Sequence, residues 1–186
     1  MNADVTWPFN LDRRWIRWLG LAWLLLLPSG APGRAQEATQ ARDLATKAAM
    51  IYNFGRFATW PDTRFDGPQA PVVVCIDPSD PLALVLSEID GKPLGGRNLM
   101  VRRTTRVDRG CNMAYISPDS VNEGYLASLR DRGVLTIGET PNFSRNGAIQ
   151  LVTIGRQIRF QVNQSVALAV GVRLSSNLMR LAVSVR

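Results

Sequence analysis

From residue 71 to residue 138, short apolar runs alternate with helical patterns, and this alternation narrows the fold more than any other feature of the chain. Val72-Val73-Val74-Cys75-Ile76 presents no polar residue on either side of a strand, which marks a strand buried on both faces. Residues 82–89 follow Pro78 and Pro81 and read as a helix whose first turn tolerates proline. Residues 99–105 read as a second strand, 111–117 as a third, 121–132 as a helix stopped by Gly133, and 134–138 as a fourth strand. Such alternation predicts a mostly parallel sheet covered by helices on both faces. Beyond it, 148–154 and 157–162 flank Gly155-Arg156 and read as an antiparallel hairpin, and 165–181 reads as one closing helix. The expected fold is therefore α/β: a single Rossmann-like domain, with a mostly parallel sheet, a C-terminal antiparallel hairpin and helices on both faces.

Upstream, Ala45, Ala48, Ala49, Ile51, Tyr52, Phe54 and Phe57 recur at steps of three and four, predicting a helix over 44–59. Its end is set by Trp60-Pro61, because the residue before a proline is driven out of the helical region. The aromatic residues on this helix read as a core-facing stripe. Before the helix, Arg13, Arg14 and Arg17 precede an apolar run over 18–27, and Gly33 and Ala35 take the small-residue positions of a cleavage site. Ten apolar residues are too few for a helical bilayer span, which needs about 20. The expected organisation is a signal peptide over 1–35, cleaved near Ala35, followed by one domain over 36–186 in the periplasm.

Composition then removes whole classes of chemistry. The chain has 186 residues, no His and two Cys. That excludes His-based triads, His-ligated metals and four-cysteine sites. No catalytic residue, metal ligand or cofactor site is expected. Of the 22 basic and 15 acidic residues, four Arg and two Asp precede residue 36, leaving a domain with a modest basic excess. Its densest part is Arg102-Arg103-Thr104-Thr105-Arg106, with Arg97 and Arg109 nearby. Contact with phosphate or anionic headgroups is one reading; a solvated strand edge, which resists edge-to-edge pairing, is the preferred one. No aromatic residue interleaves with the cluster, so it lacks the stacking platform of a nucleic-acid binder, and no nucleic acid is expected as partner.

An even cysteine count in an exported chain points to a bridge. Cys75 lies in the first strand and Cys111 opens the third. In a doubly wound order 2-1-3 these strands are neighbours, within the reach of a disulfide. Two buried free thiols remain the alternative.

The turn after the first strand, Asp77-Pro78-Ser79-Asp80-Pro81, has no glycine to admit a pyrophosphate and two acids to repel it, so a dinucleotide site is not expected. Gly95 and Gly96 read as a turn requiring positive φ rather than a phosphate cradle. Asp77 and Asp80, on a proline-flanked loop, read as a helix cap and a solvated charge rather than a catalytic pair.

A co-linear set of motifs over 47–182 begins with Lys47-Ala48-Ala49-Met50-Ile51-Tyr52-Asn53-Phe54-Gly55-Arg56-Phe57-Ala58-Thr59-Trp60-Pro61, and in it the chain resembles the YfiR family of exported proteins. The likeness does not stop there. It continues through Val74-Cys75-Ile76, Gly96-Arg97, Cys111 with Ala114-Tyr115-Ile116-Ser117, and Val134-Leu135-Thr136-Ile137. The family's Phe-x-x-x-Gly-Gly-x-Ile loop corresponds to Phe143-Ser144-Arg145-Asn146-Gly147-Ala148-Ile149, and its RFxIN signature to Arg159-Phe160-Gln161-Val162-Asn163. The closing pattern corresponds to Leu174-Ser175-Ser176-Asn177-Leu178-Met179-Arg180-Leu181-Ala182. Asn146 replaces the usual first glycine and Val162 the usual Ile.

The resemblance implies a periplasmic regulator rather than an enzyme. It would bind the periplasmic domain of an inner-membrane diguanylate cyclase and hold it inactive, with an outer-membrane lipoprotein able to sequester it, and so control cyclic di-GMP signalling and biofilm formation. The family's disulfide falls on Cys75 and Cys111. A homodimer is one further assembly open to such a module, and a small-molecule sensor or accessory protein of another membrane receptor is the competing function. The expected partner-binding residues are Phe143 and Arg145, in a loop long for its place in the fold, and Ile158 and Phe160 on one face of the following strand; that Phe143 instead caps the core is the alternative.

Overall fold

The computed structural model describes residues 32–186, so most of the expected signal peptide lies outside the described residues. Contacts divide the chain into units Met1–Gln36 and Glu37–Arg186, and the second holds the fold described below. Its elements in chain order are α1 (Pro32–Arg56), β1 (Ala58–Thr59), β2 (Val72–Ile76), α2 (Leu82–Ser87), β3 (Pro93–Leu94), β4 (Arg97–Arg103) and β5 (Met113–Ile116). They continue with α3 (Glu123–Asp131), β6 (Leu135–Gly138), β7 (Ile149–Ile154), β8 (Gln157–Val162), α4 (Gln164–Ala169), β9 (Arg173–Leu174), α5 (Ser176–Leu181) and β10 (Ser184–Val185). Among the described residues no helix is long and apolar enough to cross a membrane.

Among the described residues eight strands form one sheet in the order β10-β8-β7-β6-β5-β2-β4-β3. β4, β2, β5, β6 and β7 are mutually parallel, β8 runs antiparallel to β7, and β10 lies parallel to β8. The chain steps from β2 to one side and then returns past it to β5, the 2-1-3 order expected of a doubly wound sheet. Right-handed crossovers in opposite directions place their helices on opposite faces. Accordingly α2 packs on one face through Leu82, Ala83 and Leu86, and α3 on the other through Leu126 and Leu129. Strand alternation sorts the side chains: Val72, Val74, Ile76, Met113 and Tyr115 join the first face, and Cys75, Ala114 and Ile116 the second.

Two helix boundaries differ from expectation. The first helix starts at Pro32 instead of residue 44, because 35–43 is rich in Ala, Gln and Glu and has no breaker, although these residues are exposed. It also stops at Arg56, since Ala58 and Thr59 pair antiparallel with Leu174 and Arg173. That same pairing interrupts the expected 165–181 helix. Gly171, at φ 78°, ends α4 while Val172 N–H donates to Ala167 O at 2.9 Å, and Ser175 then caps α5 by accepting from Leu178 N–H.

Gly95 and Gly96 adopt φ of 61° and 90°, as the turn reading requires. The arginines around β4 are not simply solvated. Arg97 donates to Gly67 O and Ala70 O and stacks 3.6 Å from the Phe65 ring centre. The open side of β4 is occupied by the preceding turn: Leu99 N–H donates to Lys92 O, and Val101 N–H to Asp90 Oδ1.

Candidate partner-binding surface

The four expected partner-binding residues do not form one patch. Phe143 is 2% exposed and belongs to the second-face core with Cys75, Cys111 and Leu129. Its ring is so tightly held that a Cβ on Gly138 or Gly147 would stand 2.4 or 2.1 Å from it. As a surface anchor Phe143 is therefore corrected: the loop turns its ring inward, into the core. Arg145, beside it, is exposed.

The loop 142–147 is pinned from below. Ser144 N–H donates to Gln150 Oε1 at 3.0 Å, and Asn163 Nδ2 donates to Ser144 O at 2.8 Å. Asn163 also caps α4, its Oδ1 accepting from Val166 N–H at 3.0 Å. One buried amide thus joins the loop, the end of the hairpin and the next helix. Asn146 has φ of −121°, which any residue adopts, so the loop has no conformational need for a glycine there.

Ile158 and Phe160 are brought together, as expected of alternate residues on one strand. They line a groove of about 490 Å³ between β8 and α1, together with Met50, Thr46 and Leu181. Phe160 is only 7% exposed and packs edge-to-face on Phe54 at 5.1 Å, so it forms the floor. Ile158 is half-buried, Leu181 is exposed, and Arg42, Asp43, Arg156 and Arg159 stand at the margin. An apolar floor with a charged margin has the composition of a protein-recognition surface.

A second crevice, of about 390 Å³, lies at the carboxyl ends of β2, β5 and β6, where open α/β sheets place small ligands. Five of its polar side chains, Lys47, Asp80, Tyr115, Ser117 and Glu139, are already engaged with one another. Lys47 Nζ meets Glu139 Oε2 at 2.5 Å, Tyr115 OH donates to Glu139 Oε1 at 2.8 Å, and Ser117 Oγ donates to Asp80 Oδ2 at 2.5 Å. Burial, with Glu139 next, pushes the Tyr115 phenol above its usual range, so it stays a donor. Asp80 also accepts from Leu82 N–H at the start of α2, in keeping with the expected cap, whereas Asp77 accepts from Ser79 N–H and Oγ in a turn instead of standing as a solvated charge.

Cys75 and Cys111 form a disulfide with Cα atoms 5.8 Å apart. Arg102 lies over it, donating from Nε to Cys75 Sγ at 3.3 Å and from Nη2 to Cys111 Sγ at 2.9 Å and Asp108 Oδ1 at 2.6 Å.

A family model described as YfiR/HmsC-like matches residues 44–183. The chain belongs to this family. No curated protein matches the sequence. The YfiR/HmsC-like match begins at Leu44, where α1 first turns a side chain toward the core, and it contains the groove residues Met50, Ile158, Phe160 and Leu181 and both cysteines. Arg64 escaped sequence reasoning: it donates to Arg132 O, Arg109 O and Cys111 O, tying three segments together. A lone arginine after Trp-Pro gives no periodicity by which to find it.

Proposed function

We propose that this YfiR/HmsC-like protein is a non-catalytic regulator, exported by a signal peptide over 1–35 and cleaved near Ala35. In the periplasm it binds the periplasmic domain of an inner-membrane diguanylate cyclase and holds it in its inactive state, with an outer-membrane lipoprotein competing for the regulator. The family match carries this reading, and the groove between α1 and β8 supports a protein as ligand. The internally paired groups of the strand-end crevice favour a protein over a small molecule. A regulator of this kind acts only through unequal affinity for two states of its target. Ile158 and Arg145 contact the partner, while Phe160 forms the groove floor; a homodimer would place the same groove against a second copy.

The test is a pull-down with the periplasmic domain of a cyclase encoded beside this gene, using wild type, Ile158→Asp and Arg145→Glu. Wild type is expected to bind and Ile158→Asp to lose at least about tenfold in affinity, a central apolar contact being worth about 1.4 kcal/mol or more. A folded wild type that ignores the cyclase overturns the reading; unchanged affinity in both variants removes this surface from it. Mass spectrometry of the periplasmic form tests export, which an intact Met1 in the membrane fraction would refute.

A further inference from the structure

We infer that the crossover 104–112, between β4 and β5, is a docking surface for anionic phospholipid headgroups. The crossover has no helix. Five arginines stand around it. Arg102 and Arg106 flank Asp108, Arg109 carries the carbonyl that Arg64 reaches, and Arg132 Nη1 donates to Val107 O at 2.6 Å. Arg64 and Arg109 are close enough that Arg109, after burial, holds the Arg64 guanidinium below its usual range. Among the described residues Asp108 is the one carboxylate bonded to this group, and Arg102 and Gly110 N–H already hold it. Arg106 and Arg109 are exposed, with no carboxylate bonded to either among the described residues.

The remaining surface of the crossover identifies the partner's chemistry. Thr105, Asp108 and Gly110 are exposed, and its single large apolar residue, Val107, is 5% exposed. A protein interface needs a buried aromatic or aliphatic anchor, and none is available here. The cavity beside the crossover is about 20 Å³, too small to enclose a free phosphate. What remains is the exposed pair Arg106 and Arg109, whose guanidinium groups pair with phosphate in fork geometry and accumulate on an anionic membrane surface without insertion. The groove between α1 and β8 involves none of these residues, so membrane contact and partner binding use separate surfaces.

The protein isolated from a periplasmic fraction is sedimented with phosphatidylglycerol vesicles and with phosphatidylcholine vesicles. Binding is expected to the first only and to weaken as salt rises through the range that screens exposed charges. Arg106→Glu/Arg109→Glu should lower binding about tenfold or more, whereas Arg173→Glu/Arg180→Glu, an equal change of net charge far along the fold, should not. Equal loss in both double variants, binding to both vesicle types, or no binding by folded wild type overturns the proposal. So does a wild type that ignores vesicles but needs Arg106 and Arg109 to hold an acidic protein, which assigns the patch to that partner. Circular dichroism confirms that each variant is folded, and because no cyclase enters the assay, its outcome is independent of the pull-down.

Discussion

The two faces of the sheet are built by different means. Among the described residues the first buries 26 in one continuous cluster, including Phe54, Leu82, Leu86 and Phe160, under α1, α2, α4 and α5. The second buries nine, under α3 and the helix-free crossover 104–112. Hydrophobic stabilisation grows with apolar area removed from water, so the second face is short of driving force. It compensates with directional and covalent links: the Cys75–Cys111 bridge, the Arg102 guanidinium over it, and Arg64 bonded to three carbonyls. Where a layer lacks a helix to supply burial, cross-links hold the backbone in place instead.

Breaking the bridge sharpens this contrast most. Cys75→Ala/Cys111→Ala is expected to cost about 4 kcal/mol, the chain-entropy value for a closed loop of 36 residues. Phe54→Ala, on the first face, should cost a comparable amount through a cavity. The two losses separate in hydrogen exchange: amides of 104–112 should lose protection in the cysteine variant and keep it in Phe54→Ala. Equal protection of the crossover in both variants would show that the second face does not depend on its cross-links.

The first face was legible in the sequence because burial leaves periodic marks. Ala48, Ile51 and Phe54 mark a helix, and Val72, Val74 and Ile76 a strand, by their spacing alone. The alternation of elements likewise yields strand order 2-1-3, and with it the adjacency of Cys75 and Cys111. The second face was harder to read, since its long-range hydrogen bonds from Arg64, Arg102 and Asn163 have no period. Phe143 misled for a related reason: an aromatic residue among polar ones has the composition of an interface anchor, and only the nearness of Gly138 and Gly147 shows that its ring points inward. The closing helix failed at Gly171, where apolar spacing persists across a residue that the strand pairing of β9 requires to be left-handed.

Phe143 offers a smaller test of the same contrast. Phe143→Ala should cost about 3 kcal/mol, at the low end for loss of a buried ring because the flanking glycines give the loop room to close. Urea titration checks it, and an exposed anchor would change the midpoint very little. If the ring only shapes the loop, partner affinity falls in Phe143→Ala in proportion to the disorder of 142–147. A more conservative Phe143→Leu, which refills most of the space, should restore both.

The smallest effect is one of pH, and it also belongs to the second face. Hydrogen bonds from Arg102, and then from Gly110 N–H, hold the Asp108 carboxyl below its ordinary value, while burial opposes them weakly. A carboxyl depressed in the folded state stabilises the protein fully above its unfolded value, about 3.9, and loses that contribution as pH falls through the folded value. The side chains of Asp108 and Arg102 are 53% and 36% exposed, so solvent screens the pair and the contribution is slight. Acid titration of wild type and Asp108→Asn should therefore give stability curves that separate only slightly above the unfolded value and converge as pH falls through the lower folded value. A separation that persists unchanged through this acid range would mean that Asp108 acts through the geometry of 108–110 and not through its charge.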